Sequence, residues 1–113
     1  MKMEGEYGFV DIGETGNLSS EDIQAYMSCI VDAFAVHVDR EKIRHGLWKQ
    51  AGLEDQIQQI RIKSSRVLHS IELRKTGALE SEEFVYAVGE ELVDIINYAV
   101  FALRISKGEF GEQ

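Results

Sequence analysis

The segment GEELVDIINYAV, residues 89–100, places three acidic residues inside the most apolar stretch of the chain. Its apolar residues recur at steps of three and four, the spacing that brings side chains onto one face of an α-helix. The periodic stretch begins near Ser81 and ends at about Lys107, just before Gly108. It therefore predicts one long amphipathic helix. The apolar face of this helix comprises Phe84, Val88, Leu92, Ile95, Ala99 and Leu103.

Two further helices are predicted upstream of this one. The first begins at Ser19 or Ser20, because Ser19 and Asp22 approximate a capping box. The second runs from about residue 53 to 75, and Gly77 supplies a glycine where it ends. The apolar face of the first helix comprises Ile23, Met27, Ile30, Phe34 and Val38. That of the second comprises Leu53, Ile57, Ile60, Ser64, Val67, Leu68 and Ile71.

These elements predict an all-α fold, an antiparallel bundle of three main helices with one short helix in the segment EKIRHGLWKQAG, residues 41–52. The 113 residues, 44% of them hydrophobic, suffice for one domain, which we place at residues 19–113. Residues 1–18 hold four glycines and show no sustained period, which predicts an arm that is flexible or ordered only on a partner. Because long amphipathic helices bury their faces only against one another or a second subunit, we expect a homo-oligomer.

Composition narrows the classes of partner. A net charge of -8 argues against a nucleic acid or an anionic membrane as the main partner, because phosphates are held by surplus Lys and Arg. The chain shows no secretory signal and no apolar run long enough to cross a bilayer, so we expect a cytoplasmic protein. The single cysteine, Cys29, has apolar neighbours and is predicted to be a buried small hydrophobic residue.

The acidic residues need an explanation, because Glu91 and Asp94 share one helix face beside the apolar residues. At this spacing like charges repel by a few tenths of a kcal/mol, and partial burial adds to the cost. A cation is therefore expected nearby. Mg²⁺ is one source of positive charge, and the basic residues of the second helix, Arg61, Lys63 and Arg66, are the other. The spacing alone leaves both interpretations open.

Gly89 also needs an explanation, because a glycine inside a helix costs about 1 kcal/mol relative to alanine. It indicates that another helix, or a ligand, comes close to the backbone just ahead of Glu90.

The third-helix motif resembles that of the all-α nucleotide pyrophosphohydrolases, the MazG-like superfamily. The resemblance is carried by the ExxD element Glu91-Leu-Val-Asp94, which Glu90 precedes and Asn97 and Tyr98 follow. Two upstream runs, QIRIKSSRVL at residues 59–68 and HGLW at residues 45–48, resemble more narrowly a MazG-like branch common in phage and bacterial genomes. Together these motifs span roughly residues 20–105.

The resemblance implies a helical bundle that assembles as a dimer or tetramer and hydrolyses the α,β-phosphate bond of nucleoside triphosphates. It implies Mg²⁺ as cofactor, with Mn²⁺ as a substitute, held by an EExxE motif on one helix and ExxD on the next. Glu91 and Asp94 are accordingly the expected catalytic and metal-binding residues, with Glu90 as a further metal ligand.

Six other residues are candidates for binding the substrate. Lys63 and Arg66 suit the phosphates, one as a point charge and the other as a bidentate fork. Asn97 either borders the base or is a polar surface position, and Tyr98 either stacks on the base or belongs to the core. The remaining two are Trp48, a stacking residue or a plug at the end of the bundle, and His45, a phosphate contact or a surface residue.

The sequence departs from the family in the first half of the metal motif, where Lys63 and Arg66 occupy the region of the expected glutamates. Because several acids are needed to fix metals and orient the attacking water, this departure weakens or abolishes hydrolysis. Two main hypotheses follow. The protein is a Mg²⁺-dependent pyrophosphohydrolase that converts nucleoside triphosphates to monophosphate and pyrophosphate, or a catalytically silent helical module that binds a nucleotide or a protein. A third is a scaffolding protein whose N-terminal arm contacts a basic partner.

Overall fold

The computed structural model describes residues 2–11, 13 and 16–108. Within these residues the chain is mostly helical, which confirms the all-α class with three main helices and one short helix. The helices are α1 (Ser20–Arg44), the 3-10 helix Leu47–Gln50, α2 (Leu53–Lys75) and α3 (Ser81–Ser106). None of them is long and apolar enough to cross a membrane.

The helix ends follow the local signals in the sequence. The backbone N–H of Asp22 donates to Ser19 Oγ at 3.0 Å and that of Ser19 donates to Asp22 Oδ2 at 3.4 Å, which confirms the predicted capping box. At the start of α2 the N–H of Gly52 donates to the carboxylate of Asp55 at 3.1 Å. After α2 the backbone of Gly77 adopts a φ of 82°, a left-handed conformation that favours glycine, and the chain turns back into α3.

Helix α1 is held mainly through its second half, where it packs on α3. Ala33 is 1% exposed, and its carbonyl accepts a hydrogen bond of 2.9 Å from the buried side chain of Asn97. The rings of His37 and Phe101 lie 5.0 Å apart at the same junction. Residues 24–32 are exposed, so the prediction that Cys29 is buried is wrong. Its apolar neighbours lie on a part of α1 that no other described element covers.

Much of the predicted apolar surface remains open in the single chain. On α1, Phe34 is 61% exposed, and Met27, Ile30 and Val38 are each at least 40% exposed. The buried hydrophobic residues of the described part are only four, Ala33, Phe101, Ala102 and Ile105. The chain exposes 8571 Å², whereas a compact monomer of this mass exposes about 6,300 Å².

Two short strands precede the helices, β1 (Lys2–Gly5) and β2 (Gly8–Asp11). They pair antiparallel, with Gly5 opposite Gly8 at the turn. The sequence pattern does not predict this hairpin, because strands of four residues are too short to show a clear alternation. Residues 1, 12, 14 and 15 of the predicted arm, and residues 109–113 of the predicted domain, lie outside the described residues.

Replacing Asn97 by alanine is expected to loosen α1 selectively. The loss of a buried hydrogen bond should lower the free energy of unfolding by about 1 kcal/mol, measured by urea denaturation. Amide hydrogen exchange should accelerate more in the second half of α1 than in α2. The matched control is Gln58→Ala, which removes an exposed amide and should change stability by less than about 0.5 kcal/mol. Equal effects of the two substitutions would contradict this role of Asn97.

Candidate functional site

Two acidic and three basic side chains meet where the three helices come together. Lys63 Nζ lies 2.9 Å from Asp94 Oδ2 and 3.4 Å from Glu91 Oε2. Arg40 Nη2 of α1 lies 2.8 Å from Asp94 Oδ1, and Arg66 Nη1 lies 3.7 Å from Glu91 Oε1. We call Arg40, Lys63, Arg66, Glu91 and Asp94 the ion-pair cluster. The sequence leaves two sources of positive charge open, Mg²⁺ and basic side chains. The structure shows basic side chains beside both Glu91 and Asp94.

Lys63 and Asp94 form the buried centre of this cluster, with side chains 16% and 11% exposed. Arg40 and Arg66 are more exposed and cover its outer edges. Arg40 is close enough to Asp94 for strong attraction, although its N–H groups are not aligned for a hydrogen bond to Oδ1. The strongest attraction is therefore expected between Lys63 and Asp94, where solvent screens least.

The pKa values of the central pair reflect this arrangement. Burial by itself would raise the pKa of Asp94, but the hydrogen bond from Lys63 and the nearby positive charge of Arg40 lower it overall. The pKa of Lys63 is raised, chiefly by its hydrogen bond to Asp94, while burial opposes that effect. Both groups are thus held in their charged forms.

The cluster in this arrangement does not fit Mg²⁺. The ammonium group of Lys63 already lies within 3.4 Å of both carboxylates, in the position that a cation shared by Glu91 and Asp94 would need. Mg²⁺ demands octahedral oxygen coordination, and the described residues contain no group of three or more His, Cys, Asp or Glu placed to hold a metal. Glu90 accepts a hydrogen bond from the hydroxyl of Tyr86 instead, and this bond raises the pKa of Tyr86.

A pocket of about 410 Å³ opens on the other side of Arg40. Trp48 and Phe101 form its aromatic wall, stacked with their ring centroids 4.2 Å apart at 15°. His37 packs edge-on against Trp48 at 5.8 Å. Arg44, which is exposed, lies at the rim of the pocket. We call this cavity the aromatic pocket.

Gln56 brings a buried polar group to the aromatic pocket. Its side chain is 2% exposed, and its Nε2 donates to the carbonyl of Trp48 at 3.2 Å. Within the described part of the chain its Oε1 has no hydrogen-bond partner. A buried acceptor without a donor costs about 1–3 kcal/mol.

The sequence analysis misses Gln56, Arg40 and Phe101. A signal for Gln56 exists, because it lies three residues after Leu53 and four before Ile60, on the apolar face of α2. No comparable signal marks Arg40, which reaches the acids only through the tertiary packing of α1.

The structure distributes the predicted site over two neighbouring pockets. Trp48, Asn97 and Tyr98 line the aromatic pocket. The predicted metal ligands and Lys63 line a second cavity of about 570 Å³, which we call the acidic pocket, and Arg40 lines both. Four of the predicted site residues line the acidic pocket, namely Lys63, Glu90, Glu91 and Asp94.

The structure also gives the surroundings of three further predicted substrate contacts. The amide of Asn97 donates to a backbone carbonyl of α1, so at least one of its N–H groups is not available to a base. Arg66 is 58% exposed at the edge of Glu91. His45 is exposed at the end of α1, where its φ of 47° places it in a left-handed conformation.

The pKa shifts predict how stability depends on pH. The pKa of Asp94 is lower in the folded state than its unfolded value of about 3.9, so its stabilisation is present above about pH 4 and is lost on acidification below that. The pKa of Lys63 is raised, so its stabilisation is present below about pH 10.4 and is lost at higher pH. Urea unfolding of wild type and Asp94→Asn should show a constant stability difference near neutral pH and a shrinking one below about pH 4. A difference that persists unchanged in acid would contradict the charged pairing of Asp94.

The substitution Lys63→Met tests whether an ammonium group occupies the place of a metal. It should lower the free energy of unfolding by about 2 kcal/mol, less than the roughly 3–5 kcal/mol of a fully buried pair, because Arg40 and Arg66 remain. Added Mg²⁺ should then raise the melting temperature of the variant and leave that of wild type unchanged. Lys75→Met is the control, since Lys75 is 68% exposed. Equal stabilisation of wild type by Mg²⁺ would contradict the interpretation.

Comparison of the chain with known proteins adds no family: no family model matches it, and neither a curated protein nor a solved structure does. The MazG-like resemblance therefore stays a prediction that its motif residues carry.

Proposed function

We propose that the protein is a catalytically silent helical module that binds a nucleotide in the aromatic pocket. The observation that carries this proposal is the aromatic pocket itself, an open cavity of about 410 Å³ with a wall formed by Trp48 and Phe101. The ion-pair cluster has a structural role in this proposal. It joins the three helices and forms the boundary between the aromatic and acidic pockets.

The chemistry of the aromatic pocket suits a flat base that carries an N–H donor. Four ring side chains line it, and because Trp48 and Phe101 stack on each other, a base contacts these two rings from outside the stack. Gln56 Oε1 is buried, so it accepts from an exocyclic amine or a ring N–H only when the lining side chains move aside. Arg40 and Arg44 line the pocket together with Glu41 and Asp55, and Arg44, which is not paired with Asp94, is the residue that suits a phosphate. The ring side chains are His37, Trp48, Tyr98 and Phe101.

Hydrolysis of the nucleotide with Mg²⁺ stays a second candidate, which one observation favours. Glu90, Glu91 and Asp94 line one cavity, the acidic pocket. For a metal to bind there, Lys63 must move away from both carboxylates, and the stabilisation from its buried ion pair with Asp94 is then lost. The silent module requires no such rearrangement, and for that reason we rank it first.

We also propose that the module is a cytoplasmic homo-oligomer. The support for assembly is the open apolar surface, since twenty large hydrophobic side chains of the described residues are at least 40% exposed.

Tryptophan fluorescence tests nucleotide binding directly, because Trp48 is the only tryptophan of the chain. Titration of wild type with nucleoside triphosphates, without Mg²⁺, should quench or shift its emission in a saturable manner. Arg44→Ala should weaken binding roughly five- to tenfold without lowering the melting temperature, because Arg44 is exposed. Lys75→Ala removes the same charge far along α2 and should leave binding unchanged.

A parallel assay for released pyrophosphate, with Mg²⁺ and with Mn²⁺, separates the two candidates. Saturable binding without pyrophosphate supports the silent module, whereas turnover that Glu91→Gln abolishes supports the hydrolase. If no nucleotide changes the fluorescence, or if Arg44→Ala and Lys75→Ala weaken binding equally, the proposal for the aromatic pocket is wrong.

A further inference from the structure

A row of residues, all exposed except the half-buried Ile96, follows α3 on the side that α1 and α2 leave open. Its members recur at steps of 4, 3, 4, 3 and 4, the heptad spacing by which one helix packs along another. Val85 is 66% exposed, and Leu92 and Leu103 are exposed by 44% and 45%. We call this row the α3 seam. It comprises Val85, Gly89, Leu92, Ile96, Ala99 and Leu103.

No described part of the same chain explains the glycine in the seam. A Cβ atom at Gly89 would meet nothing within 4 Å, so the chain itself does not come close to this backbone. Alanine at this position would fit the single chain and would favour the helix. If a helix of another chain packs close to the α3 backbone here, the absence of a side chain at Gly89 is explained.

The seam reads the same in both directions. Its side chains run large, small, large, large, small, large, and the steps between them are also palindromic. When two copies of α3 lie antiparallel, Leu92 of one faces Ile96 of the other. Gly89 then faces Ala99, and Val85 faces Leu103. Small residues meet small ones, which permits close approach, and apolar residues fill the centre and the ends.

The charges of α3 favour this antiparallel orientation over a parallel one. Its first turn carries Glu82 and Glu83, and its C-terminal end carries Arg104 and Lys107. An antiparallel pair brings the acidic start of each copy beside the basic end of the other, whereas a parallel pair brings like charges together. The two helix dipoles are also opposed only in the antiparallel pair.

The exposed area of the chain matches the size of such an interface. The 8571 Å² of the chain exceeds the surface of a compact monomer by roughly 2,300 Å², and obligate interfaces bury about 1,000–2,500 Å² on each partner. A second copy is therefore the occupant that accounts for both the area and the palindrome.

We propose that the α3 seam is a homodimer interface, in which two antiparallel α3 helices are related by a two-fold axis between Leu92 and Ile96. This inference deepens the proposed homo-oligomeric state. Val85 and Gly89 also line the acidic pocket, so the second copy lies along one wall of it. The predicted metal ligands of one chain thus lie next to the interface.

Disulfide cross-linking tests the orientation. In a Cys29→Ser background, which removes the only native thiol, Leu92→Cys and Ile96→Cys are made as separate proteins. Under mild oxidation a mixture of the two should form cross-linked dimers much faster than either alone. If each variant cross-links faster with itself than with the other, the pairing is parallel and the proposed axis is wrong.

Light scattering after size exclusion tests the surface itself. Wild type should have a mass of at least twice 12.8 kDa, and Leu92→Glu should reduce the number of chains per particle while its far-UV circular dichroism stays helical. Leu68→Glu is the matched control, because Leu68 is 64% exposed on α2, and it should keep the wild-type mass. A monomeric wild type, or dissociation by Leu68→Glu but not by Leu92→Glu, overturns the proposal. Neither experiment uses nucleotide, so failure here is distinct from failure of the aromatic pocket in its own titration.

Discussion

The contact between Lys63 and Asp94 is the interaction on which the rest of the structure depends. Asp94 belongs to α3, Lys63 to α2, and Arg40, which also contacts Asp94, to α1. A single buried carboxylate therefore gives all three long helices a common point of attachment. The described hydrophobic core is small, so this polar contact and the Asn97 hydrogen bond have an unusual share in fixing α1. A buried ion pair stabilises only when its partners stay together, which makes the position of each helix depend on the other two.

Sequence reasoning succeeds here where the physics is local. The capping box at Ser19 and the glycine after α2 act within a few residues, and both helix ends lie where those signals place them. The need for positive charge near Asp94 also follows from one helix, because repulsion and burial are set by its own spacing. Lys63 and Arg66 can be named as candidate partners because they lie on α2, the helix that precedes α3 in the chain.

The same reasoning fails where tertiary packing decides. The apolar neighbours of Cys29 in the sequence predict a buried residue. In the structure the described elements cover only the second half of α1, so Cys29 is exposed. Arg40 is one of several basic residues near the end of α1, and only the crossing of that helix over α3 selects it. The aromatic pocket is divided among four elements, and Trp48, Gln56 and Phe101 come from three of them, so they are far apart in sequence and share no motif. Predicted site residues therefore lie in two cavities rather than one.

The proposed dimer and a metal site at the acidic pocket make opposing demands on the same carboxylates. A second copy along the α3 seam reduces the access of water to the acidic pocket, because Val85 and Gly89 belong to both. Lower access to water strengthens the attraction between Lys63 and its acids, since the effective dielectric constant falls. It also makes an unpaired ammonium or carboxylate more costly. Assembly through this seam therefore holds Lys63 more firmly against Glu91 and Asp94, and it favours the silent module over an enzyme that must replace that lysine with a metal ion.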